Sequence, residues 1–68
     1  MLLDVRKMTC NHCVRSVTAA VLALDPQAKV EVDLGQGTVR VDGGGKLDAE
    51  AAATAIRAEG YEVRVLEH

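Results

Sequence analysis

A chain of 68 residues has room for one small domain with a marginal core, because at that size only about 60% of the unfolded surface is buried. One Tyr, with no Phe or Trp, leaves the interior to Val, Leu, Ile and Ala, and an elaborate substrate pocket would consume it. Eight basic against ten acidic residues give a formal charge of −2, which is no footprint for nucleic acid or an anionic membrane.

The N-terminal stretch "MLLDVRK" lacks the basic start, long apolar core and cleavage site of a signal peptide, and no apolar run approaches a membrane span. The expectation is therefore a cytoplasmic protein in a reducing compartment. In "LLDVRK", Leu3 and Val5 alternate with Asp4 and Arg6, the period of a strand covered on one face. The loop "MTCNHC", Met8 to Cys13, follows. In "CVRSVTAAVLAL" the residues Val14, Val17, Val21 and Leu24 recur at helical spacing, and the pattern stops at Asp25-Pro26.

Two further strands are predicted at "KVEVDL", with Val30, Val32 and Leu34 inward, and at "TVRVD", with Val39 and Val41 inward. "GQG", Gly35 to Gly37, makes the hairpin between them. "GGGKLD", Gly43 to Asp48, is not a phosphate loop. Arg40 stands where the first glycine is needed, and Leu47 where Ser or Thr must follow Lys46. It reads as a flexible loop. A second helix is predicted over "DAEAAATAIRAE", with Asp48 as N-cap, Glu50 in the first turn and Gly60 just beyond the end. "YEVRV" is the last strand, and "LEH", residues 66–68, reads as an expression-tag scar.

The order β-α-β-β-α-β predicts an α+β sandwich of ferredoxin-like type, a four-stranded antiparallel sheet with two helices on one face, in a single domain. The charged face (Asp4, Arg6, Glu31, Asp33, Arg40, Asp42, Glu62, Arg64) mixes both signs and needs no further function. Tracing the strands up and down places the cysteine loop, the hairpin and the Gly60-Tyr61 junction at one end. Cys13 and Tyr61 become predicted neighbours.

Cys10 then lies on an exposed loop and Cys13 in the first turn of a helix, where free N–H groups and the helix dipole favour a thiolate. Lys7 and Arg15 are expected to add to that effect. Two soft thiolates suit a soft ion such as Cu(I), whereas a structural zinc site needs four ligands and His12 is the one further donor close by. Two other readings stay open: a redox disulfide, and a structural disulfide that would contribute little across so short a loop.

"MTCNHC" between a first strand and a first helix, on a chain of this length and order, resembles the heavy-metal-associated domain family, whose motif is M-x-C-x-x-C. Within it the sequence looks most like the small bacterial copper chaperones, which open the last strand with G-Y-[DE]-V; here that is Gly60-Tyr61-Glu62-Val63. The resemblance implies that Cys10 and Cys13 are Cu(I) ligands and that Met8 is a loop anchor packed inward. Tyr61 would lie near the metal loop as an auxiliary residue, and its alternative reading is a strand-opening aromatic that covers the end of the second helix. Thr9, where zinc-type relatives often carry aspartate, favours copper. Lys7 replaces the glycine usual before the methionine.

His12 reads as a solvent-facing loop residue, with a third-ligand role as its alternative, and Arg15 and Ser16 as a solvated helix face or part of a docking surface. The function implied is a cytosolic copper(I) metallochaperone, not an enzyme. It would pass metal by ligand exchange to the metal-binding domain of a copper-transporting P-type ATPase, with a copper-responsive regulator as another partner. The apo protein is expected to be a monomer, and two facing sites would share copper in a bridged dimer. The alternatives are a metal-binding domain excised from such an ATPase and, from another class, a small thiol–disulfide redox protein.

Overall fold

The computed structural model describes residues 1–42 and 47–67, so the loop expected at 43–46 and the histidine at 68 lie outside the described residues. The elements run β1 (Leu2–Arg6), α1 (Asn11–Leu24), β2 (Lys29–Asp33), β3 (Thr38–Asp42), α2 (Ala49–Ala58) and β4 (Glu62–Glu67). The strands form one sheet in the order β2-β3-β1-β4, each neighbouring pair antiparallel. This is the ferredoxin-like sandwich that the alternating segments predict.

Alternation turns Leu3, Val5, Val39, Val41 and Val63 to one face, where they are buried against Val17 and Val21 of α1 and Ala52, Ala53 and Ile56 of α2. With no Phe or Trp available, the alanines of α2 let that helix lie close to the sheet. On the opposite face the register sets Asp4 against Arg64, Arg6 against Glu62, Glu31 against Arg40 and Lys29 against Asp42. Each such pair supports the strand alignment modestly while keeping the face wetted.

Three local differences from the sequence pattern have physical causes. Asp33 Oδ1 accepts a hydrogen bond from the Gln36 N–H at 3.1 Å, which begins the turn and ends β2 before Leu34. Leu34 is consequently 38% exposed instead of pointing into the core. Val14 is only half-buried and Leu24 is 48% exposed, because the covered stripe of α1 runs through Cys13, Val17, Ala20 and Val21. At the other end of the sheet, a bulge between Leu2 and Leu3 lets β4 continue through Glu67, opposite Leu2.

The junction from α2 to β4 positions the site. Asp48 caps the helix start by accepting from the Ala51 N–H at 2.7 Å. At the other end Gly60 takes a φ of +99°, and its N–H bonds the Arg57 carbonyl at 2.9 Å. Arg57 Nη2 then donates to the Val63 carbonyl at 2.8 Å, tying the last helical turn to the strand that follows Tyr61. A Cβ added at Gly60 meets nothing within 4 Å, so a Gly60→Ala penalty comes from the backbone alone. That change is expected to lower stability by about 1–2 kcal/mol in urea unfolding. An unchanged midpoint would show that the junction relaxes freely.

Candidate metal centre

The site is built where β1 gives way to α1. After Arg6 the chain turns at Lys7, whose φ of +73° is the left-handed region, at a cost of about 1–2 kcal/mol for a residue with a Cβ. The turn drives Met8 into the core, where it is 6% exposed among the valines and leucines. A flexible thioether fills such an irregular gap readily. Thr9 and Cys10 return to the surface.

Cys10 is the N-cap of α1, with an extended backbone (φ −154°, ψ 173°) and no side-chain capping bond. Its carbonyl accepts the first helical bond, from the Val14 N–H at 3.2 Å. Neither Asp nor Glu occupies the first turn, so the positive end of the helix faces the sulfurs without a competing carboxylate. Cys13 sits three residues into the helix on its covered stripe, half-buried against the core.

The two sulfurs are 3.6 Å apart and both thiols are free. Two sulfurs bound at about 2.3 Å to one metal in a bent arrangement span a comparable distance. The Cys13 thiol is pushed down to about 6. The main cause is a hydrogen bond from the Tyr61 hydroxyl, followed by the backbone at Thr9, the Cys10 side chain and the backbone at Cys10, against an opposing effect of burial. At neutral pH Cys13 is therefore mostly thiolate, the form that binds metal. Lys7 and Arg15 are not among the causes. Both are exposed, where water and salt screen their charge, so hydrogen bonds do the work that the sequence assigned partly to cations.

Tyr61 enters from the α2–β4 junction, half-buried against the core cluster. The bond to Cys13 pushes its hydroxyl up, as do burial and the charge on Cys13, while a hydrogen bond with Ser16 acts the other way. Ser16 is thus a residue whose part sequence reasoning missed. Its spacing from Cys13 was the available signal, since residues three apart share a helix face.

The structure brings together Cys10, Cys13 and Tyr61, and Met8 belongs to the core cluster against which Cys13 and Tyr61 pack. It leaves His12 exposed, and among the described residues no three His, Cys, Asp or Glu side chains are grouped to hold an ion. Among those residues, too, no helix is long and apolar enough to cross a membrane.

The family model for the heavy-metal-associated domain matches residues 2–62. The chain belongs to the heavy-metal-associated domain family. The copper chaperone CopZ of Bacillus subtilis (strain 168) is 39% identical over 62 residues, covering 90% of each chain. CopZ of Staphylococcus haemolyticus (strain JCSC1435) is 35% identical over 63 residues, covering 91% of this chain and 93% of that one. Among solved structures, the copper chaperone Atx1 from Synechocystis PCC6803 in its Cu2 form superposes with a TM-score of 0.86 at 38% identity. That match covers 94% of this chain and 98% of Atx1. The span matched by the family model includes the cysteine loop and the Tyr61 junction.

Removing the Tyr61 hydroxyl takes away a donor to the Cys13 thiolate and leaves the thiol form untouched, so the thiol must become harder to ionise. In reduced, metal-free Tyr61→Phe protein, the pH profile of Cys13 alkylation should move upward from about 6 towards the ordinary thiol range. A profile that stays in place would mean the backbone N–H groups alone hold the thiolate.

Proposed function

We propose that the protein is a cytoplasmic copper(I) metallochaperone that carries the ion on Cys10 and Cys13 and delivers it to a copper-transporting partner. The observation that carries this reading is the pair of free sulfurs 3.6 Å apart, one of them ionised near pH 6, at a solvent-facing loop. The chaperone names of its relatives at 35–39% identity over nearly the whole chain support it. Copper is the cargo here, and no bond in a substrate is broken, so the protein is not an enzyme.

The two sulfurs have unequal settings. Cys10 is exposed, and an incoming thiolate from a partner reaches its side of the ion first. Cys13 is half-buried and held by Tyr61 and the loop backbone. Exchange then runs through a three-coordinate ion: the partner's first thiolate adds, Cys10 leaves, the partner's second thiolate adds, and Cys13 leaves. Copper remains Cu(I) throughout. Soft, low-coordinate binding is what lets tight retention coexist with handover. Met8, buried beneath the loop, keeps both sulfurs in register without ligating. The partner that fits this exchange is the metal-binding domain of a copper-exporting P-type ATPase, which offers a cysteine pair of its own.

Anaerobic titration of the reduced protein with Cu(I), against a strong competitor and excess Zn(II), tests the proposal. Binding near one copper per chain is expected, undisturbed by zinc and weakened by Cys10→Ser, Cys13→Ser substitution far beyond the roughly 10–100-fold typical of a lost supporting group. Displacement of copper by zinc, or no tight binding together with disulfide reductase activity, would move the reading to the redox alternative.

A further inference from the structure

The two outer strands of the sheet have differently treated edges. The Val5 N–H bonds the Gly37 carbonyl at 2.7 Å, so Val63, opposite Val5 on β4, turns its own backbone groups away from β1. Arg57 Nη2 takes that outward Val63 carbonyl at 2.8 Å, and a helix side chain thereby guards this edge. β2 has no such guard among the described residues. Val41 and Met1 exchange N–H···O bonds, both at 2.9 Å, so Val39 and Val41 face β1. The β2–β3 bonds then fall at Lys29–Asp42, Glu31–Arg40 and Asp33–Thr38. The backbone N–H and C=O of Val30 and Val32 point out of the sheet, unpaired among the described residues.

The side chains of β2 are left unfinished as well. Val39 and Val41 are fully buried, whereas Ala28, Val30 and Val32, which pack on the same core, are only half-buried. The other face of the strand carries Lys29, Glu31 and Asp33, all exposed. Charges on an outer strand ordinarily discourage pairing. Their order here does the reverse for one alignment. An antiparallel second copy set with Val30 opposite Val30 exchanges backbone bonds at that position and places Lys29 of each chain opposite Glu31 of the other. Joined to the pairs inside each sheet, the row across the seam reads Asp42, Lys29, Glu31, Arg40, alternating in sign throughout. The alignment with Val30 opposite Val32 instead sets Glu31 against Glu31, and like charges directly opposite are unfavourable.

We propose that β2 is a self-pairing edge: two copies of the chain join β2 to β2, antiparallel, in the alignment centred on Val30. The inference goes beyond the carrier reading and stands without it, because the contact needs no metal. It replaces the monomeric apo protein expected from the sequence. β1 and β2 both run antiparallel to β3, so β2 ends on the side of the sheet where the cysteine loop begins. Antiparallel joining therefore sends the two cysteine loops to opposite ends of the pair, both open, unlike a copper-bridged dimer. One short strand is a small contact, so the association is weak and depends on concentration.

Sedimentation equilibrium of the reduced, metal-free chain tests the proposal, from about 10 μM to about 1 mM. The average mass should rise from one copy towards two. Over the same range hydrogen exchange at the Val30 and Val32 amides should slow several-fold, while exchange at Val65, on the guarded edge, stays constant. Lys29→Glu and Glu31→Lys each set like charges across the seam and should weaken pairing by about 10-fold. An equimolar mixture of the two variants restores both opposite-charge pairs and should associate as the unaltered chain does, which also shows that each variant is folded. A mass that stays at one copy throughout leaves the edge to a strand of another protein and overturns the proposal. So do single variants that pair as well as the unaltered chain, or a mixture no better than either variant alone. Association that needs copper overturns it too, since the contact then belongs to the cysteine loops.

Discussion

The site depends on the burial of one side chain, Met8. Met8 is sunk in one cluster with Leu3, Val5 and the valines of α1, which ties the few residues between β1 and α1 to the core. The loop leaves the sheet, dips into the core and returns to the surface at Thr9 as the helix begins. That path requires the left-handed turn at Lys7 and makes Cys10 the N-cap. It also brings the backbone at Thr9 within hydrogen-bonding reach of the Cys13 sulfur. A domain this small cannot build a deep pocket, and it carries its two cysteines at the surface with the core beneath them.

Control from beneath explains how the two sulfurs differ while sitting 3.6 Å apart. Cys13 shares the covered stripe of α1 with Val17 and Val21, and Tyr61 reaches it from a separate part of the chain. The Gly60 turn and the Arg57 bond to the Val63 carbonyl shape the junction from which that tyrosine enters, so α2 contributes to the site through its C-terminal end. Cys10 has only the loop behind it. One sulfur is thus anchored and one is exposed, the division that the proposed handover between two thiol pairs calls for.

Most of the frame was legible in the sequence because period and punctuation agreed. Charge alternated with valine in each strand, Asp48 and Gly60 bounded α2, and the element order alone placed Tyr61 beside Cys13. What escaped is information carried by side-chain geometry. The Val14, Val17, Val21 spacing suggested a stripe that omits Cys13, whereas the helix rolls so that Cys13 meets the core and Val14 is only half-covered. Leu34 looked like strand until the Asp33 side chain closed the turn ahead of it. The cations near the cysteines suggested a Coulombic origin for the thiolate, but hydrogen bonds supply it. Ser16 became visible only once Tyr61 was seen between it and Cys13.

The central claim is that two thiolates from one loop, and no third side chain of this chain, hold the ion. X-ray absorption at the copper edge on the loaded protein, with His12→Gln alongside, measures the ligand set directly. The account predicts a shell of sulfur alone that depends on both Cys10 and Cys13 and is identical in the two proteins. A nitrogen ligand that disappears in His12→Gln would contradict it, and so would a sulfur shell that survives the loss of either cysteine.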